Sequence, residues 1–382
     1  MNTTKLKNVC VVVSGTTPKS TDERYWNGTH VWITPAELSE DSFIVTDSER
    51  HITDEAIKAT GLKSFPKGTV LLSSRAPIGK VAIAGCEMYC NQGFKNLICS
   101  ESIYNLYLYY FLKSKTAYLN SLGRGATFKE ISKGIVEDIS IPFPAYSEQI
   151  RIAKQLQKIS ELISLKKGQY RYFDDIIRSR FLEMFGHSDR PKVRLGECCI
   201  INPKKSSDIR LVDNDLMVSF VSMSDVSEDG QIVTCNHKQY ESVKSGFTYF
   251  SENDVLFAKI TPCMENGKGG IAKGLLNGIG FGSTEFHVLR PIDQVSNSCW
   301  LYELTSFPQF RQAAEINMTG SAGQRRVPAS FLANYKVSLP PISLQNQFAD
   351  FVHQLDKSKM AVQKSLDELE ILKKSLMQTY FG

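Results

Sequence analysis

The chain has 382 residues, 42% of them hydrophobic and 22% charged, and its net charge is +5. This length is enough for two domains that each bury a core. No apolar run is long enough for a signal peptide or a membrane span, so we expect a cytoplasmic protein with no membrane partner. The nine cysteines form no C-x2-C pair, which argues against a zinc site and for reduced thiols. The modest positive charge permits a polyanionic partner without requiring one.

The predicted elements occur twice in the same order. Short β-type runs separated by Gly, Pro and Asn turns are followed by a long heptad-patterned segment, and then both features recur. The predicted boundaries are 1–144 and 187–342 for the two β-rich domains, and 145–186 and 343–382 for the two helices. We therefore predict an α+β fold with two α/β domains in tandem, related by a pseudo-twofold repeat and each followed by a long helix.

Matching phrases support the duplication. FPKGTVLLSSRAP (65–77) aligns with FSENDVLFAKITP (250–262) at an offset of 185 residues. ISIPFPAYSEQ (139–149) and VSLPPISLQNQ (337–347) each stop a β-type run at proline just before a helix. GIGFG (278–282) lacks the G-x-G-x-x-G spacing of a dinucleotide site, and we predict a tight turn there.

Both helical segments have apolar residues at alternating spacings of 3 and 4, typical of a helix that packs along one stripe. The second seam lies 196 residues after the first, and so does MQTYFG (377–382) after FLEMFG (181–186). We predict an antiparallel coiled coil. Charged seam positions, at Lys166, Arg180, Lys359 and Lys373, either favour pairing between the helices or extend past the seam into solvent. The apolar seam residues are Ile152, Leu156, Ile159, Ile163, Tyr170, Phe173 and Ile177 in the first helix, and Phe348, Val352, Leu355, Val362, Leu366, Leu369 and Leu376 in the second.

Patterns typical of catalysis are missing. The sequence has no G-x4-G-K-[ST], and no lysine follows an acidic residue by two positions as in many metal-dependent nucleases. Asn202-Pro203 continues into two lysines, whereas amino-methyltransferases place a proline and an aromatic residue there to hold a flipped base. The six histidines form no metal-spaced pair. We expect a binding protein with no catalytic residue, metal or cofactor of its own.

Six loops combine cations, amides and hydroxyls with glycine, a mixture that suits phosphates and base edges. They are 73–80, 91–95 and 123–129 in the first domain, and 258–270, 280–286 and 318–328 in the second. From the residues alone, DNA binding and solvated surface cations both stay open. The candidate DNA-binding residues are Ser74, Arg75, Lys80, Asn91, Gln92, Lys95, Arg124, Thr127, Lys129, Lys259, Thr261, Lys268, Ser283, Thr284, Gln324, Arg325 and Arg326.

Longer motifs resemble the specificity (S) subunits of type I restriction-modification systems over essentially the whole chain. The first domain carries SGTTPKSTDERYWNGTHVWITPAEL (14–38), GTVLLSSRAPIGKVAIAG (68–85) and NQGFKNLI (91–98). The second carries DVLFAKITPCMENGKGGIA (254–272), GFGSTEFHVLRP (280–291) and MTGSAGQRRVP (318–328).

The resemblance implies two target-recognition domains, each reading one half of a bipartite site in double-stranded DNA. It also implies that the two helices set the spacer and dock methyltransferase subunits, two in number, with restriction/translocase subunits joining them. Adenine-N6 methylation with S-adenosylmethionine, and motor and nuclease work with ATP and Mg2+, are then expected on the partner subunits, and this chain is non-catalytic. The domains differ, since ITPCMENGK has no counterpart of equal length in SSRAPIGK, which implies an asymmetric target.

Three alternatives remain. A coiled-coil scaffold whose lobes bind protein would share the helices, and a specificity subunit of a modification-only or combined restriction-methylation enzyme would share the whole pattern. A self-sufficient DNA methyltransferase is disfavoured because its catalytic tetrad is missing.

Overall fold

The computed structural model contains two compact units. Unit 1 comprises Met1–Lys167 and Gln363–Gly382, and unit 2 comprises Gly168–Val362. Over the residues described, we find no helix with the length and apolar character needed to cross a membrane. The residues described are 2–125, 129–186, 191–208, 210–211, 215–228, 230–232, 236–321 and 323–382.

The described strands of unit 1 form three sheets. The central strands Val70–Leu72 and Val81–Ala84 are buried at every residue, as expected for unbroken apolar runs. The five-stranded sheet has the order Cys10–Val13, Asn96–Cys99, Val70–Leu72, Val81–Ala84 and Ile44–Val45. The three-stranded sheet has the order His51–Ile52, Trp26–Ile33 and Tyr89–Cys90, and the two-stranded sheet pairs Thr3–Lys5 with Ser140–Pro142.

Unit 2 repeats part of this arrangement, with its described strands in sheets of four, four and two. The parallel pair formed by Trp26–Ile33 and Tyr89–Cys90 in unit 1 recurs as Met217–Val221 and Ile279–Gly282. One four-stranded sheet has the order Cys199–Ile201, Phe286–Pro291, Val255–Ala258 and Gly269–Ile271. The other has the order Asn236–Gln239, Met217–Val221, Ile279–Gly282 and Thr248–Ser251, and Lys192–Arg194 pairs with Lys336–Ser338.

Shorter helices pack on these sheets. Asn105–Ser114 buries seven of its residues, which explains its largely apolar sequence NLYLYYFLKS. The other α-helices of unit 1 are Asp54–Thr60, Thr116–Ser121 and Lys133–Glu137, and those of unit 2 are Leu195–Cys198, Tyr240–Val243, Ser298–Ser306, Pro308–Ile316 and Ala329–Asn334. Single 3-10 turns occur at Leu6–Asn8, Glu23–Tyr25, Pro35–Glu37, Lys205–Ser207, Met223–Asp225 and Leu276–Gly278.

The GIGFG segment corrects one expectation. Its last four residues form the buried strand Ile279–Gly282, so the prediction of a tight turn was wrong for most of the segment. Gly280 is required by packing, since a Cβ there would lie 2.0 Å from the Phe250 ring. Only Gly278, with φ of 66°, has turn geometry.

The two heptad segments form the long helices Tyr146–Phe185 and Ile342–Phe381. Every apolar seam residue named above is buried or half-buried. In unit 1, Ile159 and Ile163 form a buried cluster with Leu366, and Tyr380 Oη lies 2.9 Å from Gln155 Oε1. These contacts join the first half of one helix to the last half of the other.

In unit 2, aromatic side chains join the remaining halves of the two helices. Phe348 packs against Phe181 and Phe185 with ring centroids 5.4 Å apart in both pairs. Lys359, only 8% exposed, donates a hydrogen bond to Asp174 at 2.6 Å. This charged seam residue therefore pairs with the other helix and does not extend into solvent.

Candidate nucleic-acid interface

Three loops that are distant in the unit 1 sequence meet at Glu130. Its backbone exchanges two hydrogen bonds with Arg124, at 3.0 and 2.9 Å, and pairs with Arg75 in an isolated bridge. Its carboxylate accepts a hydrogen bond from Lys95 Nζ at 2.9 Å. The three predicted loops of this domain therefore come together, joined by a residue that sequence reasoning did not single out.

Two candidate residues of unit 1 lie inside this junction. Lys95 is 8% exposed and Ser74 is fully buried, with Lys95 Nζ 3.4 Å from Ser74 Oγ. Since the Lys95 ammonium is already paired with Glu130, both residues support the loops from within and do not form part of the surface that the loops present.

Of the candidate cations of unit 1, Arg75, Arg124 and Lys129 lie at the surface. Arg75 is half-exposed and the other two are exposed, and no described residue bonds their side chains. Beside them, Gln92 is exposed and its Oε1 accepts a hydrogen bond from Thr17 at 2.7 Å. The remaining candidates of unit 1 are Asn91, whose Oδ1 accepts the Gly93 N–H at 2.9 Å, and Thr127, which lies outside the described residues.

Lys80 and Lys268 occupy matching places in the two units. Lys80 Nζ donates to the Pro35 carbonyl at 3.2 Å, and Lys268 Nζ donates to the Met223 carbonyl at 3.1 Å. Each acceptor belongs to a 3-10 turn closed by a capping box. Both lysines therefore hold a neighbouring turn in place, a role that the sequence did not indicate.

The loops of unit 2 meet at Arg326, which lies 196 residues after Glu130. Its backbone exchanges hydrogen bonds with Thr319 at 2.8 and 2.9 Å and bridges to Ile260. Its guanidinium forms a two-pronged pair with Glu285, with both N···O distances 2.8 Å. The guanidinium of Arg326 holds the pKa of the Glu285 carboxyl below its ordinary value.

The junctions of the two units therefore have opposite polarity. In unit 1 the joining residue, Glu130, supplies the carboxylate, and the cation, Lys95, comes from the 91–95 loop. In unit 2 the joining residue, Arg326, supplies the guanidinium, and the carboxylate, Glu285, comes from the 280–286 loop. The same backbone junction thus presents different charges in the two units.

Other candidates of unit 2 surround Arg326. The Thr261 hydroxyl donates to Glu265 at 2.7 Å, and Arg325 approaches the same carboxylate at 3.8 Å. Gln324 and Thr284 are exposed. Ser283 Oγ accepts the backbone N–H of the residue two positions later at 3.2 Å. Hydroxyl, amide and guanidinium groups are therefore gathered at one edge of this unit.

Arg311 is a buried residue that sequence reasoning missed. It is 8% exposed, its Nη1 donates to the Met264 carbonyl at 3.1 Å, and its Nη2 donates to the Gly267 carbonyl at 3.2 Å. The guanidinium carbon lies 4.5 Å from the centre of the Phe257 ring. Arg311 thus holds the 264–268 part of the predicted loop, and its only sequence signal is a cation at position 311 within a helix.

Burial also affects two titratable groups beside the junction of unit 2. Burial lowers the pKa of Lys259, which is half-buried. The nearby Glu285 charge acts to raise this pKa, and the nearby Arg326 charge acts to lower it further. Burial also lowers the pKa of His287, whose Nε2 lies 2.8 Å from the Val327 carbonyl. Among the described residues, no group of three His, Cys, Asp or Glu is placed to hold a metal ion.

Comparison with known proteins identifies the family. The model of the type I restriction modification DNA specificity domain matches residues 1–171 and 188–370. The chain belongs to this family. Two copies of the specificity domain therefore cover most of the sequence, consistent with the repeated topology of the two units.

The specificity-domain chain is 41% identical over 184 residues to the type I restriction enzyme MjaIX specificity subunit of Methanocaldococcus jannaschii. That match covers 47% of this chain and only 42% of the relative.

Two solved structures match over 100% of the chain. One, on complex assembly and conformational transition of the type I R-M system, has a TM-score of 0.59 and 17% identity and is covered to 97%. The other, the S subunit of the type I restriction-modification system from M. genitalium, has a TM-score of 0.56 and 13% identity and is covered to 96%. At these identities the likeness establishes the fold.

Proposed function

We propose that this protein is a sequence-specific DNA-binding specificity subunit of a type I restriction-modification complex. The observation that carries the proposal is the convergence of three loops in each unit on one joining residue, Glu130 or Arg326. Around these points lie side chains that suit phosphates and base edges, including Arg75, Arg124 and Arg325. Membership of the specificity-domain family supports the same function.

Each recognition domain, at 1–144 and 187–342, reads one half of a bipartite site in double-stranded DNA. Two features support unlike half-sites and hence an asymmetric target. The joining positions carry opposite charges, and the 258–270 loop is longer than its counterpart at 73–80.

The two long helices form an antiparallel coiled coil that sets the distance between the half-sites and docks methyltransferase subunits, two per complex. Buried seam contacts within each unit support the pairing. Exposed apolar side chains outside the seam add support for docking, because apolar surface that clusters at one place marks a site of partner contact. In unit 1 they are Leu162, Leu165, Ile371 and Leu372, at 46%, 70%, 69% and 47% exposure.

Catalysis belongs to the partners in this proposal. Methyltransferase subunits use S-adenosylmethionine to methylate adenine N6, and restriction/translocase subunits use ATP and Mg2+, all in the cytoplasm. The absence of catalytic motifs from the sequence supports a non-catalytic role for this chain.

The test shortens the helices. Removing one heptad from each helix, residues 164–170 and 364–370, shortens each by about 10 Å at 1.5 Å per residue. Methylated sites mapped in a genome carrying the variant complex should keep both half-sites, with a spacer about three base pairs shorter at 3.4 Å per base pair. An unchanged spacer, or altered half-sites, would contradict the proposal.

Salt dependence separates DNA binding from the scaffold alternative. Phosphate contacts release counterions, so the affinity of the complex for duplex DNA should fall steeply as salt rises. A protein-binding scaffold would show no such slope.

A further inference from the structure

Unit 2 contains an open cleft of about 370 Å³ that borders the 258–270 loop. Three of its lining residues are the lysines Lys205, Lys244 and Lys259. Clefts lined by one sign of charge focus the electric field and attract the opposite charge. The cleft therefore favours an anionic ligand.

Lys259 is the lysine best placed to meet that ligand. Its backbone is held on both sides, since its N–H donates to the Glu285 carbonyl and its carbonyl accepts the Val327 N–H, each at 2.9 Å. Its side chain is half-buried, yet no described residue bonds the ammonium. Burial lowers the pKa of this group although the Glu285 charge opposes the effect, so an anion beside the ammonium would relieve the remaining solvation cost.

The neighbouring charges are already engaged. Lys205 Nζ donates to the Lys244 carbonyl, and Lys244 Nζ pairs with Glu241 at 2.6 Å. The Glu285 carboxylate, which could have paired with Lys259, is held by both prongs of Arg326. Lys259 is thus the lining lysine whose ammonium is left for a ligand.

The rim of the cleft suits a phosphate attached to a sugar. Gly246 has a φ of 79° and open space where a Cβ would lie, and among described residues nothing accepts the N–H groups of Gly246 and Phe247. Backbone N–H groups of such a turn bind phosphate oxygens. Phe247 is 40% exposed and offers an apolar surface beside them.

Over its described residues, unit 1 has no ammonium at the position equivalent to Lys259. The position that matches Lys259 there is Ser74, which is fully buried and lies 3.4 Å from Lys95 Nζ. Lys259 therefore places an ammonium within the 258–270 loop, two residues before the candidate residue Thr261, where the described part of unit 1 has a buried hydroxyl.

We propose that the cleft at Lys259 binds one phosphodiester of the DNA held by unit 2 and fixes the register of the 258–270 loop on the duplex. The inference rests on the proposed DNA-binding function. Because a phosphate contact is independent of sequence, Lys259 should contribute equal affinity on every duplex and no base preference.

The first measurement is a salt titration of the full chain on a duplex carrying its methylated site and on a scrambled duplex. Lys259→Gln should weaken binding to both by the same factor and reduce the slope of log K against log salt by about 0.9. Lys259→Arg should keep the slope. Lys273→Gln removes the same charge at an exposed site of unit 2 outside the cleft and should also keep it. An unchanged slope in Lys259→Gln, or a loss confined to the methylated-site duplex, would overturn the proposal.

The second measurement is acetylation of lysines by acetic anhydride, read by mass spectrometry at low salt with and without excess mixed-sequence duplex. Lys259 should be protected by the duplex and Lys273 should not. If other lysines are protected while Lys259 reacts equally in both samples, the cleft proposal fails and DNA binding stands. If the duplex protects no lysine, the proposed function fails, and the phosphodiester site with it.

Discussion

Replacing Arg311 should destabilise unit 2 by an amount that depends on the replacement. The guanidinium bonds carbonyl groups of the 264–268 loop, while the alkyl chain lies beside Phe257. Arg311→Met keeps most of the alkyl volume and removes the charge and its donors. Arg311→Ala removes the donors and leaves a cavity as well.

The structure sets the magnitudes. Two hydrogen bonds from a charged donor contribute about 3–6 kcal/mol in total. Against this, burial lowers the pKa of Arg311 to about 10 from an ordinary 12.5, which corresponds to a desolvation cost of about 3 kcal/mol. Arg311→Met should therefore lower the free energy of unfolding by about 0–3 kcal/mol. Arg311→Ala loses the packing of about three more methylene groups, about 2 kcal/mol further, and its total loss should be about 2–5 kcal/mol.

Thermal unfolding and amide exchange of the full chain test this reasoning. Arg311→Ala should unfold several degrees below Arg311→Met, at about 2–4 °C per kcal/mol for a unit of this size. Amides of Gly267 and Lys268 should exchange faster in both variants. Asn120→Ala, which removes a neutral donor to the Ile78 carbonyl in unit 1, should leave those amides unchanged. Equal losses of unfolding free energy in the two Arg311 variants, or unchanged amide exchange at Gly267 and Lys268, would refute the role of Arg311 in holding this loop.

Two further predictions concern buried charge. Burial raises the pKa of the Glu303 carboxyl to about 7 from 4.5, so the folded state holds its proton more tightly than the unfolded state. The stabilisation is complete below about pH 4.5 and is lost as pH rises through about 7. Glu303→Gln should therefore raise the melting temperature at pH 8 and change it little at pH 5. Equal shifts of the melting temperature at the two pH values would contradict this prediction. In the unit 1 junction, Lys95→Glu should cost about 3 kcal/mol in urea unfolding, and adding Glu130→Arg should restore much of it, because Arg326 and Glu285 use that polarity in unit 2. No recovery in the double variant would show that the two junctions are not equivalent.

Local periodicity explains how much of the fold the sequence could predict. A helix repeats every 3.6 residues whatever surrounds it, so the 3-4 spacing from Ile152 to Ile177 was enough to predict a long helix, and the 196-residue offset predicted its twin. Repeated phrases likewise predicted equivalent elements in the two units, and the structure has related sheets of five, three and two strands in unit 1 and of four, four and two strands in unit 2. The prediction of a tight turn at GIGFG was wrong because local spacing does not show a neighbouring element. Only the Phe250 ring, which packs against Gly280, distinguishes a packed strand from a turn there.

The candidate site depended on contacts that no local pattern records. Lys95 reaches Glu130, 35 residues away, and Lys80 reaches the Pro35 carbonyl, 45 residues away. Residue type identified both lysines as cations, but their burial and partners follow from how distant strands pair. One signal was available, because the 196-residue offset aligns Glu130 with Arg326 and so exposes a change of charge at one position.

The sequence by itself determined the duplicated order of elements, the helix stripes and the family to which the chain is similar, because these depend on spacing along the chain. Only the tertiary structure decided which cations are committed to the scaffold and which face outward. A charge becomes structural when folding brings an opposite charge or a carbonyl group within hydrogen-bond distance and removes water, and that depends on the three-dimensional path of the chain.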